Sequence, residues 1–197
     1  LETDNLPIDN IDLTGLNQLR VLSLKNAGLR NVDLSYNNKL EKLDLSGNLL
    51  TRLTLKGPSS YFYKSLLTDI NLSNNQLESY EFDDFYAVRK FDISHNKMVN
   101  LDVSDADNLR SLNISNNAFT RLLLNHSELL ERLDASNNQL TEIKIPPVAP
   151  MAYLNVSGNK FTLADMPADF GLEGANFVYA PQQVLEISES SPGIDLS

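Results

Sequence analysis

Apolar residues return along this chain at a fixed interval. Seven segments of eleven residues carry apolar side chains at positions 1, 4, 6 and 11, and they begin at residues 19, 40, 67, 88, 109, 130 and 151. Successive segments start 21 residues apart, except for an interval of 27 between the second and the third, so one unit holds a six-residue insertion. The first six units carry a second apolar pair at positions 14 and 16. This periodicity predicts a solenoid in which each unit forms one coil.

The pattern inside a unit predicts one short strand and a return path. Side chains at positions 4 and 6 lie on one side of a strand and face the core, while positions 3, 5 and 7 face solvent. A unit of 21 residues is too short for a full helix, so we expect an extended or 3₁₀ return path. Strands of successive units should pair in parallel in one curved sheet, centred on Leu22-Leu24, Leu43-Leu45, Ile70-Leu72, Phe91-Ile93, Leu112-Ile114, Leu133-Ala135 and Leu154-Val156.

Asparagine occupies position 9 in six of the seven units. The chain turns inward where each strand ends and leaves backbone polar groups without partners, and a buried amide supplies two donors and an acceptor for them. Ala27 takes this place in the first full unit, where we expect backbone or water to satisfy the turn. We therefore predict a buried, backbone-bonded column of Asn48, Asn75, Asn96, Asn117, Asn138 and Asn159.

The same register defines the expected organisation of the chain. Carried backward, it places Ile8, Ile11 and Leu13 at positions 11, 14 and 16, so residues 1–18 are a partial first repeat. Full repeats run from residue 19, the insertion lies near 56–64, and the solenoid extends to residue 161. The segment from Thr162 shows no pair at positions 4 and 6, so we expect a C-terminal cap and a tail or linker over 162–197. The stretch VLEIS, residues 184–188, could add a strand.

The spacing LxxLxLxxNxL resembles the leucine-rich-repeat family over about residues 1–161. Units of 21 residues with a second LxxLxL half are similar to exported bacterial surface members, including internalin-like adhesins. The resemblance implies a leucine-rich-repeat solenoid of the α/β horseshoe class, mainly β in content. It further implies a right-handed superhelix with one parallel concave sheet and an extended or 3₁₀ convex side. Such members are recognition modules outside the cell or on its surface, and the family supplies no catalytic residues.

Charge and composition exclude several classes of function. A net charge of -10 opposes nucleic-acid binding, because a phosphate backbone requires a basic surface. No stretch approaches the roughly 18 apolar residues of a membrane-spanning helix. The N-terminal LETDNLPIDN lacks the features of a signal peptide, so we expect any export signal to have been removed. The absence of cysteine excludes disulfides and thiolate zinc sites.

The solvent face of the predicted sheet carries patterned charge. Position 5 runs Ser23, Asp44, Asn71, Asp92, Asn113, Asp134 and Asn155, so aspartate and asparagine alternate from the second unit onward. Each aspartate shares its unit with a cation at position 3, in the pairs Lys42 with Asp44, Lys90 with Asp92 and Arg132 with Asp134. A self-neutralised surface is the favoured interpretation, and a calcium or ligand site is the alternative. Asp69 and Ser111 interrupt the cation row and Tyr153 ends it, so part of the face is a candidate binding surface.

Aromatic residues concentrate around the insertion, with eight of fifteen between residues 61 and 91. Three of them, Tyr61, Phe62 and Tyr63, lie in the insertion itself. The favoured interpretation is a plug that packs against neighbouring rings. An exposed knob for a partner is the alternative, because loops on rigid scaffolds are common binding sites.

No constellation in the sequence indicates catalysis. Serine at position 7 recurs in six units, which indicates a turn-capping hydroxyl rather than a nucleophile. His95 and His126 fall in different units at different positions, and no metal-ligand spacing surrounds either. We therefore predict neither enzymatic activity nor a metal or cofactor. The expected function is a protein-interaction or adhesion module of a secreted or cell-surface bacterial protein, with a host or envelope protein as partner. A glycan-binding module and a passive spacer are the alternatives.

Overall fold

The computed structural model describes residues 1–2, 4–5, 8, 11–53, 55, 66–79, 85–162 and 176–183. Within these ranges the chain forms ten three-residue strands and no helix. The strands are β1 Val21–Ser23, β2 Lys42–Asp44, β3 Asp69–Asn71, β4 Lys90–Asp92, β5 Ser111–Asn113, β6 Arg121–Leu123, β7 Arg132–Asp134, β8 Glu142–Lys144, β9 Tyr153–Asn155 and β10 Asn176–Val178.

Eight of these strands form one parallel sheet in the order β1-β2-β3-β4-β5-β7-β9-β10. All seven predicted strands are present in it, each one residue earlier than expected, so position 4 is the centre of the strand. Equivalent positions pair throughout, as Leu22 does with Leu43. The register also holds across the long unit, where Lys42 pairs with Asp69. The insertion therefore leaves the sheet unchanged.

β10 corrects one expectation. Phe177 pairs with Leu154, so it occupies position 4, and Tyr179 falls at position 6. The prediction that no such pair exists beyond Phe161 was wrong. The interval between Leu154 and Phe177 is 23 residues (177 − 154), and a fixed interval of 21 passes over it. The stretch VLEIS lies outside the described residues.

The return path is extended, and in two coils it forms a second sheet. β6 pairs in parallel with β8 at unit positions 13 to 15. The central residues Leu122 and Ile143 are buried, so position 14 points inward as the sequence predicts. Stacked coils thus enclose one continuous apolar core between the large sheet and the return path, because a single coil is too thin to bury its own side chains.

The position-9 asparagines connect neighbouring coils through their amides. Nδ2 of Asn138 donates to the carbonyl oxygens of Ile114 in the preceding coil at 3.0 Å and of Ala135 in its own coil at 3.2 Å. Its Oδ1 accepts from the backbone N–H of Phe119 at 3.1 Å. All six predicted asparagines make backbone bonds of this kind. Four are buried, whereas Asn96 and Asn117 are half-buried.

The two ends of this column differ from the sequence-based expectation. The N–H of Ala27 donates to Oδ1 of Asn48 at 3.0 Å, so a side chain of the next coil satisfies it, and not backbone or water alone. Gln182 stands at position 9 of the last coil and donates through Nε2 to the carbonyl oxygens of Val156 and Tyr179. Glutamine thus replaces asparagine as the donor at that end of the column.

Position 8, just before the column, has a left-handed backbone in seven successive coils. Asn26, Asn74, His95, Asn116 and Asn137 have φ between 52° and 56°, and glycine occupies the equivalent place at Gly47 and Gly158. Asparagine and glycine tolerate this conformation better than other residues. His95 is therefore explained by its place in the turn, where its Nε2 lies 3.3 Å from Nδ2 of Asn116.

Candidate functional site: the groove across the sheet

The solvent face of the large sheet forms a groove of about 680 Å³, which we call the concave groove. It crosses seven strands, from β1 to β9, and Glu2 lines its first end. All eight sheet residues predicted as binding candidates line it: Lys42, Asp44, Asp69, Lys90, Asp92, Arg132, Asp134 and Tyr153. The aromatic candidates Tyr61, Phe62 and Tyr63 lie outside the described residues.

Position 3 forms one row along the groove. Strand register places its members side by side in the order Lys42, Asp69, Lys90, Ser111, Arg132, Tyr153. Cations therefore stand on every second strand of the central sheet. Both lysines and Arg132 are exposed.

Position 5 forms a second row, in which each aspartate is held by its own coil. Oδ1 of Asp92 accepts hydrogen bonds from the backbone N–H of Ser94 at 2.9 Å and from its hydroxyl at 2.6 Å. Asp44 and Asp134 have the same bonds from Ser46 and Ser136. Such bonds to residue i+2 form an Asx turn, which begins the inward bend of the chain. The position-7 serines are thus turn-capping donors, as predicted.

This geometry corrects the expected neutralisation of the sheet face. Among the described residues, no ion pair within 4 Å joins Lys42 to Asp44, Lys90 to Asp92 or Arg132 to Asp134. The reason is that each carboxylate bonds to the serine two residues further on and faces away from the cation two residues before it. The other oxygen of each aspartate accepts instead from the asparagine of the following coil, at 3.3 Å for Asp44, 3.1 Å for Asp92 and 3.4 Å for Asp134.

The cations consequently have different surroundings. In the described part of the chain, neither the Lys42 nor the Lys90 ammonium group has a carboxylate within ion-pair distance. The guanidinium carbon of Arg132 lies 4.7 Å from the centre of the Tyr153 ring, which is a cation–π contact. The sequence analysis missed this contact, although both residues stand at position 3 of successive units. One face of Tyr153 is therefore covered.

The first end of the groove is fixed by a charged contact. Nζ of Lys25 lies 3.1 Å from Oδ2 of Asp4, and the Ser23 hydroxyl donates to Oδ1 of Asp4 at 2.6 Å. The hydrogen bond from Ser23, followed by those from Lys25, holds the pKa of Asp4 below its ordinary value. The bond to Asp4 in turn raises the pKa of Lys25. These contacts join the first partial coil to β1.

The groove holds polar groups suited to recognition. Its serine hydroxyls are already donors to aspartate or asparagine, and no general base adjoins them among the lining residues. Within the described ranges, no group of three or more His, Asp or Glu side chains could hold a metal ion. The arrangement supplies exposed ammonium and guanidinium donors on one row and carboxylate and amide acceptors on the other.

Comparison with known proteins agrees with this architecture. A family model described as Leucine Rich Repeat matches residues 39–61, 108–128 and 129–151. The functional domain of InlJ from Listeria monocytogenes has a similar structure, with 24% identity, a TM-score of 0.68 and coverage of 95% of this chain. Internalin C2 from the same organism matches with 15% identity, a TM-score of 0.51 and coverage of 88% of this chain and 84% of its own. YopM from Yersinia enterocolitica matches with 22% identity, a TM-score of 0.53 and coverage of 84% of this chain.

These likenesses concern the fold. The chain spans only 45% of the InlJ chain and 44% of the YopM chain. No curated protein matches the sequence. InlJ is described as including a cysteine ladder, whereas this chain contains no cysteine and its buried column is asparagine. Across the described residues, no helix has the length and apolar character needed to cross a membrane.

Proposed function

We propose that this leucine-rich-repeat chain, a solenoid whose fold resembles that of the Listeria internalins, binds a protein partner in its concave groove. Leucine-rich-repeat proteins are in general interaction scaffolds, and solenoids of this kind use their extended concave surfaces for binding. The partner is a macromolecule because the groove crosses seven strands. We assign no catalytic step to it.

The observation that carries this proposal is the state of Lys42 and Lys90. Both are exposed in the groove, and neither has an ion-pair partner among the described residues, while the neighbouring aspartates are bonded within the solenoid. The strands beneath them are fixed by the sheet and by the asparagine column. A partner carboxylate would therefore meet donors whose backbone is already ordered, which reduces the entropic cost of binding.

The likeness to InlJ and internalin C2 supports a finer proposal about place and role. We infer that the chain acts as an adhesion module of a secreted or cell-surface bacterial protein. Its partner would be a host protein or a protein of the bacterial envelope. The acidic surface, with a net charge of -10, fits neither nucleic acid nor an anionic lipid surface.

A protein partner fits the groove better than a glycan does. Sugar rings commonly stack on open aromatic faces, and Arg132 covers one face of Tyr153, the groove's aromatic side chain at position 3. A passive spacer would have no need of exposed lysines whose charges are left unneutralised. The insertion with Tyr61, Phe62 and Tyr63 is the alternative binding surface, and the experiment below separates it from the groove.

The test is capture of partners by immobilised protein from host extracellular and bacterial envelope extracts. The groove variant is K42E/K90E, and the matched control is R52E/K97E, which reverses two exposed cations outside the groove. A third variant replaces Tyr61, Phe62 and Tyr63 with serine. We expect a protein captured by the wild type and by R52E/K97E to be lost with K42E/K90E at an unchanged melting temperature. Loss with the serine variant alone would assign binding to the insertion and refute the groove.

A further inference from the structure

We propose that the groove takes a polypeptide segment in the polyproline II conformation, laid across the strands, with an acidic and a basic residue recurring every third position. This inference rests on the proposed function and names the chemistry of the partner. It follows from the spacing of charges in the groove, which is set by the sheet.

The charges repeat every second strand. The cations Lys42, Lys90 and Arg132 stand on β2, β4 and β7, and the intervening strands β3 and β5 carry Asp69 and Ser111 at the paired positions. The aspartates of position 5 lie on the same three strands as the cations. Neighbouring strands are about 4.8 Å apart, so the charge period is roughly 9.6 Å and three charges span roughly 19 Å.

A polyproline II chain has nearly the same period. It rises about 3.1 Å per residue with three residues per turn, so one side repeats every roughly 9.3 Å. Over the two intervals from Lys42 to Arg132 the mismatch is roughly 0.6 Å. Flexible lysine and arginine side chains can absorb that difference.

Other regular conformations match less well. A β-strand rises about 3.3 Å per residue, and its third residue points to the opposite side, so it would miss the middle cation, Lys90. An α-helix repeats a face after seven residues, or roughly 10.5 Å, which accumulates a mismatch of roughly 1.8 Å over the same two intervals. The groove spacing therefore favours a chain with three residues per turn.

The second row determines the second charge of the ligand. Positions 3 and 5 are about 6.6 Å apart along a strand, with cations on one row and aspartates on the other. A partner with carboxylates alone would be repelled by the aspartate row and by a net charge of -10. A segment with one acidic and one basic residue in each turn matches both rows, and its third residue faces solvent, where proline suits the conformation.

The strands between the charged ones set the register. Asp69 lies between Lys42 and Lys90, and its Oδ2 accepts from the Thr68 hydroxyl at 2.8 Å. A partner carboxylate over Asp69 would be repelled, whereas one strand to either side it meets a lysine. Only one of the two alternating registers is therefore favourable.

The test compares two synthetic 18-residue peptides of equal composition, (Pro-Glu-Lys)₆ and (Pro-Pro-Glu-Lys-Glu-Lys)₃, by isothermal titration calorimetry at low salt. In the second peptide every spacing between glutamates is an even number, so none is three. Six residues of polyproline II span roughly 18.6 Å, so that peptide can still meet Lys42 and Arg132 but not Lys90. Circular dichroism establishes that both peptides have the conformation.

We expect the wild type to bind (Pro-Glu-Lys)₆ at least tenfold more tightly than the permuted peptide. K90Q should reduce this preference below threefold, and K97Q, which removes an exposed cation outside the groove, should keep it. Equal affinity for the two peptides, or a preference that survives K90Q, would overturn the inference. Partner capture that depends on Lys42 and Lys90 would then leave the proposed function standing, because the two experiments have separate readouts.

Discussion

Nδ2 of Asn113 donates a hydrogen bond to Oδ2 of Asp92 on the preceding strand, at 3.1 Å. The same bond joins Asn71 to Asp44 and Asn155 to Asp134. A carboxylate only accepts hydrogen bonds, so two aspartates on neighbouring strands could not make this contact, whereas an amide can. The alternation of aspartate and asparagine along position 5 is therefore a bonding pattern as well as a separation of like charges.

Asn113→Asp should destabilise the solenoid by about 1–2 kcal/mol. The variant loses the bond to Asp92 and places three carboxylates on successive strands. Two charges about 4.8 Å apart repel by roughly 3 kcal/mol at an effective dielectric of 20, and partial exposure reduces that value. Urea unfolding at low and high salt measures the effect, and the loss should shrink as salt rises. Asn125→Asp, an exposed position outside the row, is the control, and an equal loss there would contradict the explanation.

Loss of a column asparagine should cost stability in proportion to its burial. Asn117→Ala removes Nδ2 bonds to the carbonyl oxygens of Ile93 and Ile114 and an Oδ1 bond to the N–H of Met98. We expect a loss of about 1–3 kcal/mol from the groups left without partners. Asn138 makes equivalent bonds and is fully buried, so Asn138→Ala should lie at the upper end of that range. Urea unfolding tests the order, and a larger loss for Asn117→Ala would refute it.

Gly47 and Gly28 separate backbone strain from a steric clash. Both have positive φ, at 70° and 73°, so alanine is strained at either place by about 1 kcal/mol. A Cβ at Gly47 would also lie 1.8 Å from Oδ1 of Asn26, whereas nothing lies within 4 Å of one at Gly28. We therefore expect Gly47→Ala to be the more destabilising substitution.

A double-mutant cycle checks this cause. Asn26→Gly removes the obstructing side chain and keeps a residue that tolerates positive φ. Gly47→Ala should cost less in the Asn26→Gly background than in the wild type when thermal unfolding is compared. Additive losses would show that Asn26 does not obstruct the new methyl group.

The contact between Asp4 and β1 predicts a pH dependence. Because the bond from Ser23 lowers the pKa of Asp4 in the folded chain, ionised Asp4 stabilises the fold. This contribution is fully present above the ordinary pKa of the carboxyl group and is lost as pH falls through the lowered value. The difference in urea midpoint between the wild type and Asp4→Asn should therefore be largest at neutral pH and vanish in acid. A difference that grows on acidification would reverse the assigned sign.

The sequence predicted the large sheet because stacking forces one residue type into one place in every coil. The apolar period located all seven expected strands, and asparagine at position 9 predicted the backbone bonds of the column. β10 escaped because the unit before it is longer, which only the pairing of Phe177 with Leu154 reveals. A periodic signal identifies repeats of constant length, and variable spacing hides the rest.

The candidate site was predicted in its residues but not in its bonds. The eight sheet candidates all line the groove, since unit position determines which face a side chain occupies. Side-chain direction is a separate matter. Asp92 bonds to Ser94 and Asn113, and Arg132 lies over Tyr153, so the expected cation–aspartate pairs do not form. Sequence spacing alone does not decide between such competing partners.

The most direct test of groove binding uses the absence of cysteine from this chain. Ser111→Cys places one thiol in the centre of the groove, and Asn100→Cys places one on the exposed outer side. Each variant is labelled with a photoactivated benzophenone maleimide, mixed with host and envelope extracts, irradiated and analysed for crosslinked protein. Our account predicts a specific crosslinked partner from Ser111→Cys, abolished by K42E/K90E, and none from Asn100→Cys. A partner crosslinked from Asn100→Cys but not from Ser111→Cys would contradict the account.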